Sequence, residues 1–231
     1  KSDGNTSSLN SSSIGLSAGT YYVAVMPNNY YYRGIAIDYS LKVLNPITPS
    51  APKSPKAVAT NYNSIKVRWS AVPGATGYVV YRYNASKHIY QGIKVTSATS
   101  FTDTYLQTGK TYYYKIKAYK NFSGTNSYSA SSATVSATPS LSTPGAFKAA
   151  RASRTSIKTS WSTVPGATGY VVYRYNPSIK NFQRIKVTTV SSYTNTGLKT
   201  GVTYFYKVSA YRSVNGTNVY STPTDKVWAK T

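Results

Sequence analysis

The sequence predicts an all-β chain containing two tandem antiparallel β-sandwiches, and three observations carry that reading. First, Trp69 to Asn84 (WSAVPGATGYVVYRYN) recurs as Trp161 to Asn176 (WSTVPGATGYVVYRYN), matching at 15 of 16 positions at an offset of 92. Second, the apolar residues recur with period two. Third, turn-forming clusters interrupt the chain at short intervals and no helical stripe of useful length appears. A repeat of about 90 residues holding several short strands reads as a sandwich.

Taken in order, Leu16 to Val25 and Asp38 to Val43 have strand pattern, but residues 1–44 hold too few strands to close a sandwich. They are expected to be a partial β domain, its other strands removed or supplied by another chain; the alternative is a hairpin packed on the first repeat. Residues 45–51 form a proline-bearing linker. In the first repeat, residues 52–138, Ile65, Val67 and Trp69 alternate with Lys66 and Arg68. The turn Val72-Pro73-Gly74-Ala75-Thr76-Gly77 leads into Gly-Tyr-Val-Val-Tyr-Arg. Beyond Gln107-Thr108-Gly109-Lys110, the residues Tyr112, Tyr114, Ile116 and Ala118 alternate with Tyr113, Lys115 and Lys117, before the turn cluster Phe122 to Asn126. A second proline-bearing linker, 139–143, precedes the second repeat, 144–231. Prolines at both junctions favour extended backbone and a stiff, elongated array.

These motifs give each repeat a resemblance to the fibronectin type III family, of immunoglobulin-like fold. Trp69 and Trp161 end the second strand, a Pro-Gly turn follows, and Leu106-x-x-Gly109-x-x-Tyr112 and Leu198-x-x-Gly201-x-x-Tyr204 match that family's tyrosine corner. The resemblance implies seven-stranded sandwiches, with the Tyr112 and Tyr204 hydroxyls bonded to backbone near Leu106 and Leu198. Neither repeat contains Arg-Gly-Asp. The segment before Pro52 resembles the closing strands of bacterial pre-peptidase C-terminal domains, which implies a parent peptidase or polysaccharide hydrolase upstream.

An inventory of reactive groups argues against catalysis. The sequence has no cysteine, hence no disulfide, thiolate nucleophile or zinc-thiolate site. The sole histidine, His88, falls in a loop where the offset places Lys180, and Asp103 has Asn195 as counterpart, which suggests a turn residue. Asp3, Asp38, Asp103 and Asp225 lie on separate segments, without the spacing of a metal site or of paired catalytic carboxylates. No cofactor, metal or membrane span is expected.

Charge is the remaining signal. The chain carries 27 Lys and Arg against 4 acidic residues, a formal net charge of +23, and 25 tyrosines. If Tyr112, Tyr114 and Ile116 point inward, Tyr113, Lys115, Lys117 and Tyr119 face outward beside Val79, Tyr81 and Tyr83. The second repeat then presents Val171, Tyr173, Tyr175, Phe205, Lys207, Ser209 and Tyr211. The candidate polymer-binding residues are therefore Tyr81, Tyr83, Tyr113, Lys115, Lys117, Tyr173, Tyr175 and Lys207. Three readings of this face stay open. It solvates and stiffens a sandwich; it binds an anionic cell-wall polymer or polysaccharide, with Lys supplying charge and Tyr stacking on sugar rings; or it binds single-stranded nucleic acid, the least favoured because no nucleic-acid module is matched. The expectation for the whole is a non-catalytic module of a secreted or surface bacterial protein, tethering a catalytic domain to wall, matrix or polysaccharide. The alternative is a purely structural spacer or assembly subunit.

Overall fold

The computed structural model describes residues 48–122 and 124–231, so the reading of residues 1–44 as a partial domain lies outside the described residues. The first repeat contains β1 (Lys56–Asn61), β2 (Ser64–Arg68), β3 (Gly77–Asn84), β4 (Ile89–Thr96), β5 (Ser100–Asp103), β6 (Tyr112–Phe122), β7 (Thr125–Tyr128) and β8 (Val135–Ala137). The second contains β9 (Lys148–Ser153), β10 (Ser156–Ser160), β11 (Gly169–Asn176), β12 (Asn181–Thr188), β13 (Ser192–Asn195), β14 (Thr203–Val214), β15 (Thr217–Tyr220) and β16 (Val227–Lys230). Each repeat packs a three-stranded sheet, β1-β2-β5 or β9-β10-β13, against a five-stranded one. The larger sheets run β4-β3-β6-β7 and β12-β11-β14-β15, with β8 added to β6 and β16 to β14. Every pairing is antiparallel.

The alternation that marked the strands also builds the core. Ile65, Val67, Val80, Tyr114, Ile116 and Ala118 are fully buried in the first repeat, as are Ile157, Val172, Tyr206, Val208 and Ala210 in the second. Trp69 and Trp161 are buried and pack edge-on against Tyr78 and Tyr170, with ring centroids 5.3 and 5.4 Å apart. The corner tyrosines hold their turns: the backbone N–H of Gln107 donates to Tyr112 Oη at 2.9 Å, and that of Lys199 to Tyr204 Oη at 3.0 Å.

The last strand of each sandwich is interrupted, giving eight strand segments where the resemblance implies seven. Between β7 and β8 the chain bows away from β6, and Ser129 and Ser132 fill the gap. Each donates its N–H to a β6 carbonyl, of Ala118 at 2.9 Å and of Ile116 at 2.8 Å. Each hydroxyl then accepts the N–H of that same β6 residue, at 2.9 and 3.0 Å. Ser221 and Thr224 serve Ala210 and Val208 in the same way. Buried backbone donors need partners, and a short hydroxyl side chain supplies one where the strand has bulged out of reach.

Two further assignments change. Asp103 lies on β5 and is a buried core group rather than a turn residue: its Oδ2 accepts from Tyr114 Oη and from Arg82 Nη1, both at 2.8 Å. The shared offset had pointed to a turn because Asn is common there, yet Asn195 is also buried and donates to Tyr206 Oη at 3.0 Å. Leu141, read as linker, is buried in the second core, while the carbonyl of Pro139 accepts the Gly109 N–H at 2.8 Å. The segment between the repeats is therefore anchored to each of them.

The repeats also meet through side chains. Tyr62, in the β1–β2 turn, packs against the second core; its carbonyl accepts Thr108 Oγ1 at 2.6 Å, and the Arg212 guanidinium lies 4.7 Å above its ring. Arg212 in turn donates to the Gly166 carbonyl at 2.7 Å. Gly166 has φ +78, and a Cβ there would sit 2.5 Å from the Tyr62 ring. The equivalent Gly74 has φ +73 with no described atom that close.

Two predictions follow from this packing. Gly74→Ala should cost about 1–2 kcal/mol for its left-handed backbone alone, whereas Gly166→Ala should cost more, and adding Tyr62→Ala should remove the excess in a denaturant double-mutant cycle. Equal costs at the two glycines would show that Tyr62 does not seat on this turn. Burial raises the phenol pKa of Tyr114, assisted by the bond to Asp103, and burial likewise raises that of Tyr206. Their contribution to stability is thus complete below the unfolded phenol pKa of about 10 and is lost as pH rises from there through the raised folded values. Urea midpoints measured from pH 8 to 11.5 should fall accordingly, and Phe at both positions should flatten the decline.

Candidate functional site

In the first repeat the outward residues of β3, β4 and β6 meet by register. Val79 faces Lys117 and Tyr81 faces Lys115 across β3 and β6, and the Arg82–Tyr114 pairing sets Tyr83 beside Tyr113. Across β3 and β4 a register shift after Val80 brings Gly92 opposite Tyr81 and Tyr90 opposite Tyr83. That bulge turns Tyr90 onto the face, where its ring lies 5.3 Å from Tyr83 and Lys115 Nζ sits 4.5 Å from its centroid. At the far end, the Tyr119 ring lies across Gly77, where a Cβ would meet its hydroxyl at 2.8 Å, and packs 5.8 Å from Tyr128. Partial burial raises the phenol pKa of Tyr81, and neighbouring Tyr128 adds to the shift.

The second repeat builds the same surface with different chemistry. Tyr173 faces Lys207, and the same bulge turns Phe182 outward opposite Tyr175. Tyr175 contacts Phe182 at 5.5 Å and Phe205 at 6.5 Å, both edge-to-face, and Phe205 pairs with Trp228 across β14 and β16. Lys207 Nζ lies 5.0 Å from the Phe182 centroid and Lys226 Nζ 5.5 Å from that of Phe205. Each such contact contributes about 0.5–1 kcal/mol at an exposed site. They hold rings and amines in place without neutralising the charge.

The eight residues read from sequence thus form two sets, one per repeat, and the described contacts between repeats run through Tyr62 and Arg212, and through Val219 beside Gly109, rather than through either set. Tyr113 is exposed and the other seven are half-buried. Val79, Val171 and Ser209 belong to the outward rows yet are buried, because the larger rings and lysine stems beside them close over these smaller side chains. Sequence reasoning missed Tyr90, Phe182, Lys226 and Trp228. Strict alternation through the bulge hides the first two, and Lys226 and Trp228 lie just before and on the short strand after the interruption.

Electrostatically the face is one-sided. Among the described residues the one ion pair is Arg82 with Asp103, on the core side of β3. His88 sits in the exposed β3–β4 turn at φ +53, with Nδ1 3.4 Å from Tyr83 Oη, and no three of His, Asp, Glu and Cys come together among the described residues. The arrangement offers stacking surfaces and cations.

Trp228 is 63% exposed, against 5% for Trp69 and 6% for Trp161. Iodide should therefore quench one tryptophan of three, more strongly than neutral acrylamide does because the surrounding field is positive. Trp228→Phe should abolish the quenchable fraction; quenching that survives it would place a second indole at the surface.

No family model matches the chain. It is 30% identical over 194 residues to exoglucanase B of Cellulomonas fimi, covering 74% of this chain and 17% of that protein. A Kelch domain-containing protein of Sulfurisphaera tokodaii is 27% identical over 165 residues, covering 71% of this chain and 22% of the relative. The chain thus spans less than a quarter of the length of these curated relatives. Among solved structures, a two-domain fibronectin type III segment of chicken tenascin superposes with a TM-score of 0.51 at 17% identity, covering 78% of this chain and 99% of that one. The chain holds two tandem sandwiches of fibronectin type III-like fold.

Proposed function

We propose that this chain is a non-catalytic accessory module of a secreted or cell-surface bacterial multidomain protein, and that it tethers an attached catalytic domain to cell wall, matrix or an anionic polysaccharide. The observation that carries the reading is the duplicated outer face: Tyr81, Tyr83, Tyr113, Lys115 and Lys117 in one repeat, Tyr173, Tyr175 and Lys207 in the other, with rings and amines interleaved. Similarity to part of an exoglucanase supports a polysaccharide hydrolase, over a peptidase, as the parent. The second reading, a spacer without a ligand, draws on the contacts of Tyr62 and Arg212, which join the repeats independently of the face.

Binding separates the two. Retention of the chain on an anionic wall polymer or sulfated glycan should weaken steeply with salt, since the screening length falls from about 8 Å at physiological ionic strength to about 3 Å at 1 M. Reversing Lys115, Lys117 and Lys207 to Glu should abolish retention, whereas reversing the exposed Lys53, Lys56 and Lys148 should lower it only in proportion to net charge. Equal losses would indicate diffuse attraction to a +23 chain and favour the spacer.

A further inference from the structure

The two repeats share most of their core, and one line of the outer face differs between them in a consistent direction. In the first, the row across the larger sheet runs Tyr90, Tyr83, Tyr113, Ser136; in the second it runs Phe182, Tyr175, Phe205, Trp228. Two phenols have become phenyl rings and a serine has become an indole that is 63% exposed. Folding does not require these apolar choices, because the first repeat forms the same sheet without them. An apolar row of three half-buried rings that ends on an exposed indole, rimmed by polar residues, marks a contact surface. Lysines bracket it: Lys207 over Phe182, Lys226 over Phe205, and exposed Lys230 two residues beyond Trp228 on the same face of β16. Asp225, just before this strand, is the only carboxylate of the second repeat.

We propose that this row in the second repeat is a binding subsite for an acidic polysaccharide, laid across the strands so that its sugar rings stack on Trp228 and Phe205 while its carboxylate or sulfate groups meet Lys226, Lys230 and Lys207. The inference rests on the tethering reading and deepens it, assigning a directional site to one repeat. Edge-to-face contacts at 5.5 and 6.5 Å pin Tyr175 against Phe182 and Phe205, so the inner part of the row is ordered before a ligand arrives. Four adjacent strands span about 14 Å at ordinary strand spacing, room for a short run of sugar units. Complementary charge selects acidic chains, and stacking supplies a component that salt does not screen.

The test uses the full chain with two polymers of one backbone, carboxymethylcellulose and neutral hydroxyethylcellulose, and oligo(dT) as a third probe, in affinity electrophoresis at 0.1 and 1 M salt. Carboxymethylcellulose should bind best, with a residue of binding at 1 M that Trp228→Ser, which installs the first repeat's residue, weakens about tenfold, as expected for a Trp anchor. In the unaltered chain the same polymer should shield Trp228 from iodide, a readout that needs no variant. Absence of shielding, or undiminished binding by Trp228→Ser while reversal of Lys115, Lys117 and Lys207 abolishes it, overturns the subsite and leaves the tether standing. Equal retention by hydroxyethylcellulose overturns the acidic class. Tighter, Trp228-dependent binding of oligo(dT) reassigns the row to nucleic acid, and failure of the unaltered chain to bind any acidic polymer removes both proposals.

Discussion

A core with this many phenols forms only if each buried hydroxyl has a partner, and the rest of the fold is arranged around that requirement. Tyr78 and Tyr170 accept from the backbone of Val72 and Val164, both at 2.8 Å, and so fix the Pro-Gly turns that begin β3 and β11. Tyr112 and Tyr204 do the same for the turns before β6 and β14. Tyr114 and Tyr206, fully buried at the centre, are satisfied by Asp103 and Asn195. An unpaired buried donor or acceptor costs about 1–3 kcal/mol, comparable to the benefit of burying a whole aliphatic side chain. The tyrosines therefore tie turns to strands as well as filling volume.

The solution at the centre differs between repeats in an instructive way. In the first, the phenol donates to a carboxylate that also holds Arg82; in the second, an amide donates to the phenol and the equivalent Arg174 has no carboxylate, while both guanidiniums lie over the corner tyrosine rings, Arg82 5.7 Å from Tyr112 and Arg174 5.5 Å from Tyr204. A charged network and a neutral one occupy the same space, so the fold requires satisfied hydrogen bonds there and not a particular charge. The only ion pair among the described residues is spent inside the first sandwich. The outer face keeps its amines, held against aromatic rings and not against carboxylates.

That division of labour explains how two nearly identical motifs diverge in what they present to solvent. Core positions are constrained by packing and by hydrogen bonds, and most of them keep their residues across the duplication; those that change, such as Val67 to Thr159, Asp103 to Asn195 and Ile116 to Val208, stay close in size. Outer positions need only fit a pleated, half-exposed surface, which leaves them free to become phenyl or indole where a contact favours it. Tyr62 against Gly166 shows the same freedom at the end of the sandwich: a turn residue of one repeat becomes a fixed contact of the next.

The sequence by itself determined the fold class, the duplication, the buried tryptophans, the tyrosine corners and the outward Tyr-Lys rows, because all of these follow from periods, spacings and an internal copy. Only the tertiary structure decided what depends on a break in period or on distant chain. The bulge after Val80 and after Val172 shifts one strand by a residue and turns Tyr90 and Phe182 outward, against simple alternation. The bowed final strand places Trp228 beside Phe205, and hydroxyls of Ser129, Ser132, Ser221 and Thr224 close the ladder there. Asp103, Leu141 and Tyr62 owe their roles to partners 11 or more residues away, and local pattern carries no information about such partners until the sheets have packed.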